Sequence, residues 1–263
     1  MPEHTHVFSS KAAYYVRCRP SYPEAVIHLL RRECQLSRGS VIADMGSGTG
    51  LLSELFLKNG NSVFGVEPNQ EMREAGEEYL KNYPCFRSIA ARAESTTLES
   101  QKVDFVIAGQ AFHWFDHQQT RIEFLRILKP QGWVVLVWNK RRTDSNPFHF
   151  AYDKFLMNFG NELKTFRHGH SEVMDFFGPA TCMAAAFENR QSLDFDGLKG
   201  RFLSSSKSPE PGSDWFDPAL NELRSIFDQH QTDGKVCLEY DTIVYYGRLV
   251  SRYPRAYTLG PNH

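Results

Sequence analysis

Three glycines at alternating positions, Gly46, Gly48 and Gly50, follow a short apolar run in the stretch ADMGSGTGLL. Glycine lets the backbone turn tightly and approach a bound ligand just before a helix begins. A dinucleotide fingerprint has its third glycine five residues after the first, where this chain has Leu51, and the Gly-Lys-Ser/Thr of a P-loop does not follow. Asp44 before the loop would repel a phosphate and attract an ammonium group. The spacing therefore favours a zwitterionic ligand.

Glu67 is the next residue whose type and position could do chemistry. It ends the second predicted strand, close to the offset of roughly 20 residues at which an acidic side chain accepts hydrogen bonds from ribose hydroxyls. Considered alone, a carboxylate at the end of a strand is equally well explained as a solvated surface group. Together with the glycine loop, it indicates a ligand that carries an unphosphorylated ribose and a charged amino-acid end.

The segment QAFHWFDH supplies candidates for the acceptor side. His113 lies just past a predicted strand, where an imidazole could act as a general base or orient an acceptor. The alternative is a histidine that only hydrogen-bonds in the pocket wall. Trp114 and Phe115 could line the substrate pocket, with one of the two expected in the core. Arg141 could bind a substrate carboxylate, although charged runs such as Lys140–Arg142 are commonly solvated.

A scaffold must position these residues. The sequence predicts that strands and helices alternate along the chain. Such alternation indicates an α/β fold with a doubly wound, mainly parallel sheet, whose ligands bind at the carboxyl ends of the strands. A turn at Lys129–Gly132 precedes the fifth strand, and NRQSLDF and KVCLEYDTIVYYGRL indicate two more strands. The first five predicted strands are 40–45, 62–67, 86–90, 103–108 and 133–138, and the predicted helices are 22–36, 51–59, 69–81, 118–128 and 214–230.

Two further patterns are local. Ser21–Glu24 has the S-x-x-E form of a capping box, which predicts that the first helix starts there. Phe148, Tyr152, Phe155 and Phe159 form an aromatic stripe on one helix face. Core packing is favoured over a substrate lid as the explanation of this stripe.

Four segments within residues 40–138, DMGSGTG, GVEPNQEM, ARAEST and DFVIAGQAFHWFD, resemble the cofactor-binding motifs of class I S-adenosylmethionine-dependent methyltransferases. The resemblance is to the small-molecule type, the trans-aconitate methyltransferase-like or methyltransferase type 11 subgroup, which YYVRCRPSYP near the amino end also resembles. It implies S-adenosyl-L-methionine as cofactor, S-adenosyl-L-homocysteine as product and no metal. It also implies the Rossmann-like class I methyltransferase fold, with seven strands of which the last is antiparallel.

The resemblance also implies site residues. Tyr14, Tyr15 and Arg19 belong to a segment that folds over the cofactor and substrate as a lid in that family, although a frayed terminus explains them equally well. Arg92 departs from the family pattern, because many members have an aspartate there that accepts from the adenine amino group. The implied donor site consists of Asp44, Gly46, Ser47, Gly48 and Gly50 around the methionine moiety, Glu67 at the ribose, Pro68, Asn69 and Met72 beside the adenine, Ala93 and Glu94 at its edge, and Gly109, Gln110 and Ala111 along the methionine side.

The composition limits the kinds of partner and the cellular compartment that we expect for the protein. The formal net charge is -1, so no bulk positive field draws the protein to nucleic acid or to a membrane surface. Five cysteines without a CxxC pair predict reduced thiols in a cytoplasmic protein. The histidines lack the cysteine partners of a structural zinc site, so no metal is expected. A small-molecule acceptor and a monomer or homodimer are expected.

We predict one methyltransferase domain over residues 1–263, with an N-terminal helical lid at 1–37, a cofactor-binding core at 38–139, a helical and loop elaboration on the substrate side at 140–232, and a final strand and tail at 233–263. It is expected to transfer a methyl group to an oxygen, including a carboxylate oxygen, or to a nitrogen of a small molecule. Two alternatives stay open: a non-catalytic S-adenosylmethionine-binding protein, and an NAD-dependent oxidoreductase, which the glycine spacing disfavours.

Overall fold

One sheet carries the fold. The computed structural model describes residues 18–143, 145–159, 170–178, 181–205 and 208–250. The strands lie side by side in the order β3-β2-β1-β4-β5-β7-β6; β1 to β5 are parallel, and β7 is antiparallel to both of its neighbours. This confirms the predicted seven-stranded, mainly parallel sheet with an antiparallel last strand. In chain order the strands are β1 Val41–Met45, β2 Ser62–Val66, β3 Phe86–Ile89, β4 Val103–Gly109, β5 Leu128–Arg141, β6 Cys182–Leu193 and β7 Val236–Gly247.

Side-chain caps start four of the described helices, one of them the helix that begins at Pro147, where Oδ1 of Asn146 accepts from the N–H of His149 at 2.9 Å. The side chain of Asn69 accepts a hydrogen bond from a backbone N–H of α3, and Asp116 and Asp194 cap α4 and α7 in the same way. No helix within the described ranges is long and apolar enough to cross a membrane. The helices are α1 Ala25–Cys34, α2 Leu51–Lys58, α3 Gln70–Tyr79, α4 His117–Ile127, α5 Pro147–Phe159, α6 His170–Phe177, α7 Phe195–Leu203 and α8 Phe216–His230, with a short 3-10 turn at Phe112–Trp114.

The first helix starts later than the capping box predicts. It begins at Ala25, and Glu24 at its start makes no side-chain cap. Tertiary hydrogen bonds override the local signal, because the carbonyl oxygen of Ser21 accepts from the side-chain amide of Asn189 at 2.7 Å. Ser21 therefore belongs to the segment that leads into the helix and not to the helix itself.

Two hydrophobic cores lie on opposite faces of the sheet, and a third lies beyond it. The first packs α1 and α2 against the sheet around Phe56, and the second packs α4 and α6 around Phe124. The third joins α5, α7 and α8. Phe148, Tyr152 and Phe155 of the aromatic stripe are buried in this third core. Core packing is therefore confirmed as the explanation of the stripe.

The predicted turn Lys129–Gly132 lies inside β5. Val103 of β4 pairs with Leu128, whereas Phe105 pairs with Trp133, so the register shifts between these two pairs. Such a shift marks a bulge, in which extra residues on one strand leave the ladder. The residues that signal a turn are thus used within a strand, and β5 starts earlier than predicted.

The third core belongs to a cap beyond the carboxyl end of β5. Arg141, the last residue of β5, pairs with Tyr240 of β7. Residues 236–239 of β7 extend past this pair and form a two-stranded ribbon with residues 190–193 of β6. Side chains of α5, α7 and α8 pack against this ribbon. We call the ribbon and the three helices the cap.

Candidate functional site

The glycine loop lies at the carboxyl end of β1 and is crowded on both sides. Gly46, Gly48 and Gly50 have φ values of +64°, +54° and +85°, a left-handed region that glycine adopts freely. A Cβ on Gly46 would lie 2.7 Å from the Cβ of Ala111, and one on Gly48 would lie 3.3 Å from Cε of Met72. The loop backbone therefore packs directly against the chain that follows β4 and against α3.

Glu67 follows β2 directly and ties the glycine loop to the start of α3. Its Oε2 accepts a hydrogen bond from the N–H of Gly48 at 2.9 Å, and its Oε1 accepts one from the N–H of Asn69 at 2.8 Å. The side chain is 8% exposed, and burial raises the pKa of Glu67 although both backbone hydrogen bonds oppose the rise. Each carboxylate oxygen has a second lone pair. The carboxylate therefore keeps acceptor capacity for two ribose hydroxyls.

Asp44 is a buried acid beneath the loop. Its side chain is 0% exposed, and its Oδ2 accepts a hydrogen bond from the hydroxyl of Ser53 at 2.6 Å. Its Oδ1 is buried without a hydrogen-bond donor among the residues that the structure describes. Burial raises the pKa of Asp44 to about 7, and the nearby charge of Glu67 adds to the rise. An ammonium group near the loop would favour the ionised form of Asp44, so this residue fits the amino-acid end of a zwitterionic ligand.

The residues expected beside an adenine have different surroundings. The side chain of Asn69 is committed to the helix, because its Oδ1 accepts from the N–H of Met72 at 2.9 Å. Met72 is buried against Gly48, and Ala93 is buried in the second core. Pro68 is exposed. Met72 and Ala93 thus supply apolar surface, whereas Asn69 shapes the start of α3.

Glu94 joins the loop after β3 to the loop after β4. Its Oε1 accepts a hydrogen bond from the N–H of Asp116 at 2.9 Å, and its Oε2 lies 3.5 Å from Nε of Arg92. Arg92 stands where the resembling family commonly has an aspartate. Here its guanidinium pairs with the neighbouring carboxylate, so an adenine amino group would have to share Glu94 with these two partners.

Gln110 turns the chain at the carboxyl end of β4. Its φ is +57°, its N–H donates to the carbonyl oxygen of Val137 at 3.0 Å, and its Nε2 donates to that of Asn139 at 3.1 Å. A Cβ on neighbouring Gly109 would lie 2.5 Å from the hydroxyl oxygen of Tyr22. No sequence motif assigns a role to Tyr22 or Asn139. The only sequence signal for Tyr22 is its place within YYVRCRPSYP.

The aromatic residues after β4 divide between surface and interior. His113 and Trp114 lie on the 3-10 turn with ring centroids 4.8 Å apart, and Trp114 is 39% exposed. Phe115 packs against the second core, and its ring lies 3.4 Å from where a Cβ on Gly46 would be. His117 stacks on a buried phenylalanine. Trp114 is therefore exposed and His113 partly so, whereas Phe115 supports the glycine loop.

The amino-terminal candidates are only partly described. Tyr14 and Tyr15 lie outside the described residues. Arg19 lies within them, and its Nη2 donates a hydrogen bond to the carbonyl oxygen of Ser204, just after α7, at 2.9 Å. Arg19 therefore bridges the amino-terminal segment and the cap.

Arg141 is committed to the cap. Its guanidinium forms an ion pair with Asp153 of α5, and the two side chains are only 12% and 11% exposed. The guanidinium also lies over the ring of Tyr152, 5.3 Å from its centroid. The chain's own carboxylate thus balances the charge that the sequence offered for a substrate carboxylate.

The other reactive side chains do not converge on the loop. Burial raises the pKa of the Cys34 thiol to about 12 and that of Cys182 to about 11, which keeps both in the unreactive thiol form at neutral pH. Within the described ranges, no group of three or more histidine, cysteine, aspartate or glutamate side chains could hold a metal ion. The carboxylates that lie at the loop are those of Glu67, which bonds to the N–H of Gly48, and of Asp44 beneath it.

A family model described as a methyltransferase domain matches residues 43–136. The match starts within β1 and ends within β5, so it contains the glycine loop, Glu67 and His113. The cap lies outside it.

Known relatives agree with this match. An uncharacterized methyltransferase-like protein of Schizosaccharomyces pombe is 26% identical over 243 residues, 90% of this chain and 93% of that protein. An uncharacterized methyltransferase of Mycobacterium tuberculosis is 36% identical over 135 residues, 51% of this chain and 52% of that protein. A proposed type II methyltransferase from Anaeromyxobacter dehalogenans shares the fold with a TM-score of 0.67 at 22% identity, over 88% of this chain and 97% of that one. The domain match and these two relatives show that the chain is similar to methyltransferases, and the solved structure shares its fold.

Proposed function

We propose that the enzyme transfers the methyl group of S-adenosylmethionine to an oxygen, including a carboxylate oxygen, or to a nitrogen of a small molecule. The observation that carries the donor part is the pair of hydrogen bonds that Glu67 accepts from Gly48 and Asn69. They fix an acidic side chain at the glycine loop, where a ribose needs acceptor oxygens. The three relatives' descriptions name no acceptor, so the acceptor class is inferred from the site alone.

The residues of the loop would bind and orient the donor. S-adenosylmethionine, when bound, supplies an electrophilic methyl group on a positively charged sulfur. Glu67 would accept from the ribose hydroxyls, the charge of Asp44 would attract the ammonium group, and the crowded loop backbone would exclude water. In-line displacement depends mainly on alignment of the reacting atoms, so a site built from these groups needs no covalent catalyst.

His113 and Trp114 would contact the acceptor. Nε2 or Nδ1 of His113 would take a proton from a hydroxyl or ammonium acceptor, and the ring of Trp114 would give it an apolar wall. A carboxylate acceptor arrives without a proton to lose. For that class His113 would orient the acceptor only.

Ligand-dependent thermal unfolding tests the donor. S-adenosylhomocysteine at about 100 times its dissociation constant should add roughly 2.7 kcal/mol to the free energy of unfolding, and S-adenosylmethionine should also stabilise. NADH at equal concentration is the control and should not. Stabilisation by NADH alone would contradict the proposal.

A screen for S-adenosylhomocysteine formation tests the acceptor. The enzyme and S-adenosylmethionine are incubated with small carboxylates, phenols, alcohols and amines, and a reaction without acceptor gives the background. Turnover above background with at least one oxygen or nitrogen acceptor supports the proposal. Turnover confined to thiols or to macromolecules would refute the acceptor class.

A further inference from the structure

The residues before α1 form a strap, residues 18–22, that is fastened to the sheet by side-chain amides. Nδ2 of Asn189 in β6 donates to the carbonyl oxygen of Ser21 at 2.7 Å, and Nδ2 of Asn139 in β5 donates to the same oxygen at 3.2 Å. Asn139 lies near the carboxyl end of β5 and pairs with Thr242 of β7, and Asn189 pairs with Tyr240, two residues away along the same strand. The strap therefore crosses the edge of the sheet that carries the donor loops.

Asn139 is the centre of this arrangement. It is 6% exposed, and its Oδ1 accepts hydrogen bonds from the hydroxyl of Thr242 at 2.5 Å and from Nδ2 of Asn189 at 3.2 Å. Its backbone carbonyl oxygen accepts from Nε2 of Gln110 at 3.1 Å. One buried residue thus bonds to the strap through its side chain and to the turn after β4 through its backbone.

The strap reaches the same turn from its other side. Tyr22 follows Ser21 directly, and its hydroxyl oxygen lies 2.5 Å from where a Cβ on Gly109 would be. Gln110, the next residue, is held in the left-handed region at φ +57°, a conformation that persists only where its surroundings impose it. The turn at Gly109 and Gln110 therefore has its position set by Asn139 and by the strap that Asn139 holds.

We propose that Asn139 is a positioning residue for methyl transfer. By fixing the strap and the Gly109–Gln110 turn relative to each other, it sets the affinity of the enzyme for the donor. This inference rests on the proposed function, since it takes that turn as one side of the donor site. Asn139 acts through Tyr22 and Gln110 and needs no contact with the donor itself.

Gln191 offers a matched control. Its Nε2 donates to the carbonyl oxygen of Cys18 at 2.9 Å, and its Oε1 accepts from the hydroxyl of Tyr240 at 3.2 Å. It is therefore also an amide that fastens the strap, but it holds the end far from Tyr22. Replacing it removes a bond of the same kind without loosening the turn after β4.

The experiment compares the wild type with Asn139→Ala and Gln191→Ala. Calorimetric titration with S-adenosylhomocysteine gives the affinity, and hydrogen exchange with and without that ligand gives its protection of residues 18–24. For Asn139→Ala we expect an affinity about tenfold lower or worse and loss of the ligand-dependent protection. For Gln191→Ala we expect a change of less than about threefold, with the protection retained.

The outcomes separate the two claims. A wild type that does not bind S-adenosylhomocysteine refutes the proposed function itself. A wild type that binds, with Asn139→Ala binding equally well, overturns the positioning role, and so does an equal loss in both variants. If circular dichroism shows that Asn139→Ala does not fold, Asn139→Asp decides: it keeps the side-chain shape and the oxygen that accepts from Thr242, but it cannot donate to Ser21. Wild-type affinity in Asn139→Asp would then overturn the proposal.

Discussion

The backbone N–H of Gly48 meets the carboxylate of Glu67 at 2.9 Å, across 19 positions of the chain. Asn69 donates to the other carboxylate oxygen, so one side chain holds both the glycine loop and the first residues of the next loop. A loop ordered in this way loses less conformational freedom when a ligand binds. Glu67 thus serves the loop as well as the ribose that we propose it binds.

Replacing Glu67 should therefore lower both the stability of the protein and its affinity for the donor. In Glu67→Ala the buried N–H groups of Gly48 and Asn69 lose their acceptor, which should lower the free energy of unfolding by about 2 kcal/mol and sharply reduce the affinity for S-adenosylhomocysteine. Urea denaturation and calorimetry measure the two effects. Glu71→Ala, at an exposed acid in the first turn of α3, is the control and should change neither. Full donor affinity in Glu67→Ala would remove Glu67 from the site.

The glycine loop predicts a contrast between two glycines with similar backbone angles. Gly46 and Gly234 have φ values of +64° and +73°, but only Gly46 has a neighbour close to where a Cβ would be. Both alanine variants carry left-handed strain of about 1 kcal/mol, and Gly46→Ala adds a clash with Ala111. We expect Gly46→Ala to lose donor binding and Gly234→Ala to keep it, as measured by calorimetry. Equal binding would mean that the loop is not packed as described.

The buried Asp44 predicts a pH dependence with a definite sign. Burial raises the pKa of Asp44 to about 7 in the folded protein from its ordinary 3.8, so between these pH values the folded state holds a proton that the unfolded chain has released. The contribution of Asp44 to the free energy of unfolding therefore falls as the pH rises from about 4 to about 7 and is constant above that range. Asp44→Asn should remove this loss. The free energy of unfolding of the variant, measured by urea denaturation, should therefore rise relative to that of the wild type as the pH goes from 5 to 8. A constant difference would show that Asp44 is ionised throughout.

His113 and His117 should separate turnover from stability. The ring of His117 stacks on Phe112 at a centroid distance of 4.2 Å, so His117→Ala should cost about 1 kcal/mol of stability. His113→Ala should keep its stability and its donor affinity and should turn over acceptors that carry a proton more slowly. Thermal unfolding, calorimetry and S-adenosylhomocysteine formation test this. A wild-type rate in His113→Ala with such an acceptor would exclude a role as base.

Arg141 should behave as a structural residue. Arg141→Ala leaves the carboxylate of Asp153 buried without its cation, which should cost about 3 kcal/mol of stability. The double variant Arg141→Met, Asp153→Leu should recover most of that loss, and donor affinity should stay at the wild-type level in both. If Arg141→Ala instead keeps its stability in urea denaturation and raises KM for a carboxylate acceptor, Arg141 is a substrate ligand.

The donor half of the fold could be predicted because its signals are local. Apolar runs and glycine spacing place β1 and β2 within a residue of the structure, and β2 ends at Val66, one residue before the predicted end. Ser21 shows the limit of this reasoning. Its local pattern indicates a helix start, but its carbonyl oxygen bonds to Asn139, 118 positions away, and no local pattern encodes that distance.

The sequence predicts two helices and two strands of the cap, but not its helix α7 or the strap, for the same reason. Helix α7, Phe195–Leu203, is fixed by burial against α5, whose ring at Phe155 lies 4.8 Å from that of Phe202. Such packing depends on which helices the chain brings together. A helix of nine residues is too short to show a clear periodic pattern of apolar residues in the sequence. The role of Arg141 was uncertain from sequence because its partner, Asp153, looks like any other charge on a helix.

The ribbon of residues 190–193 and 236–239 separates the cap from the part of the chain that holds the glycine loop. The matched methyltransferase domain ends at residue 136, before the cap begins, and the cap packs around a core of its own. Substitutions inside that core can change the shape of the cap without disturbing the glycine loop. If the cap lies on the substrate side, as the sequence predicts for residues 140–232, such substitutions would change acceptor choice and leave the donor loop as it is.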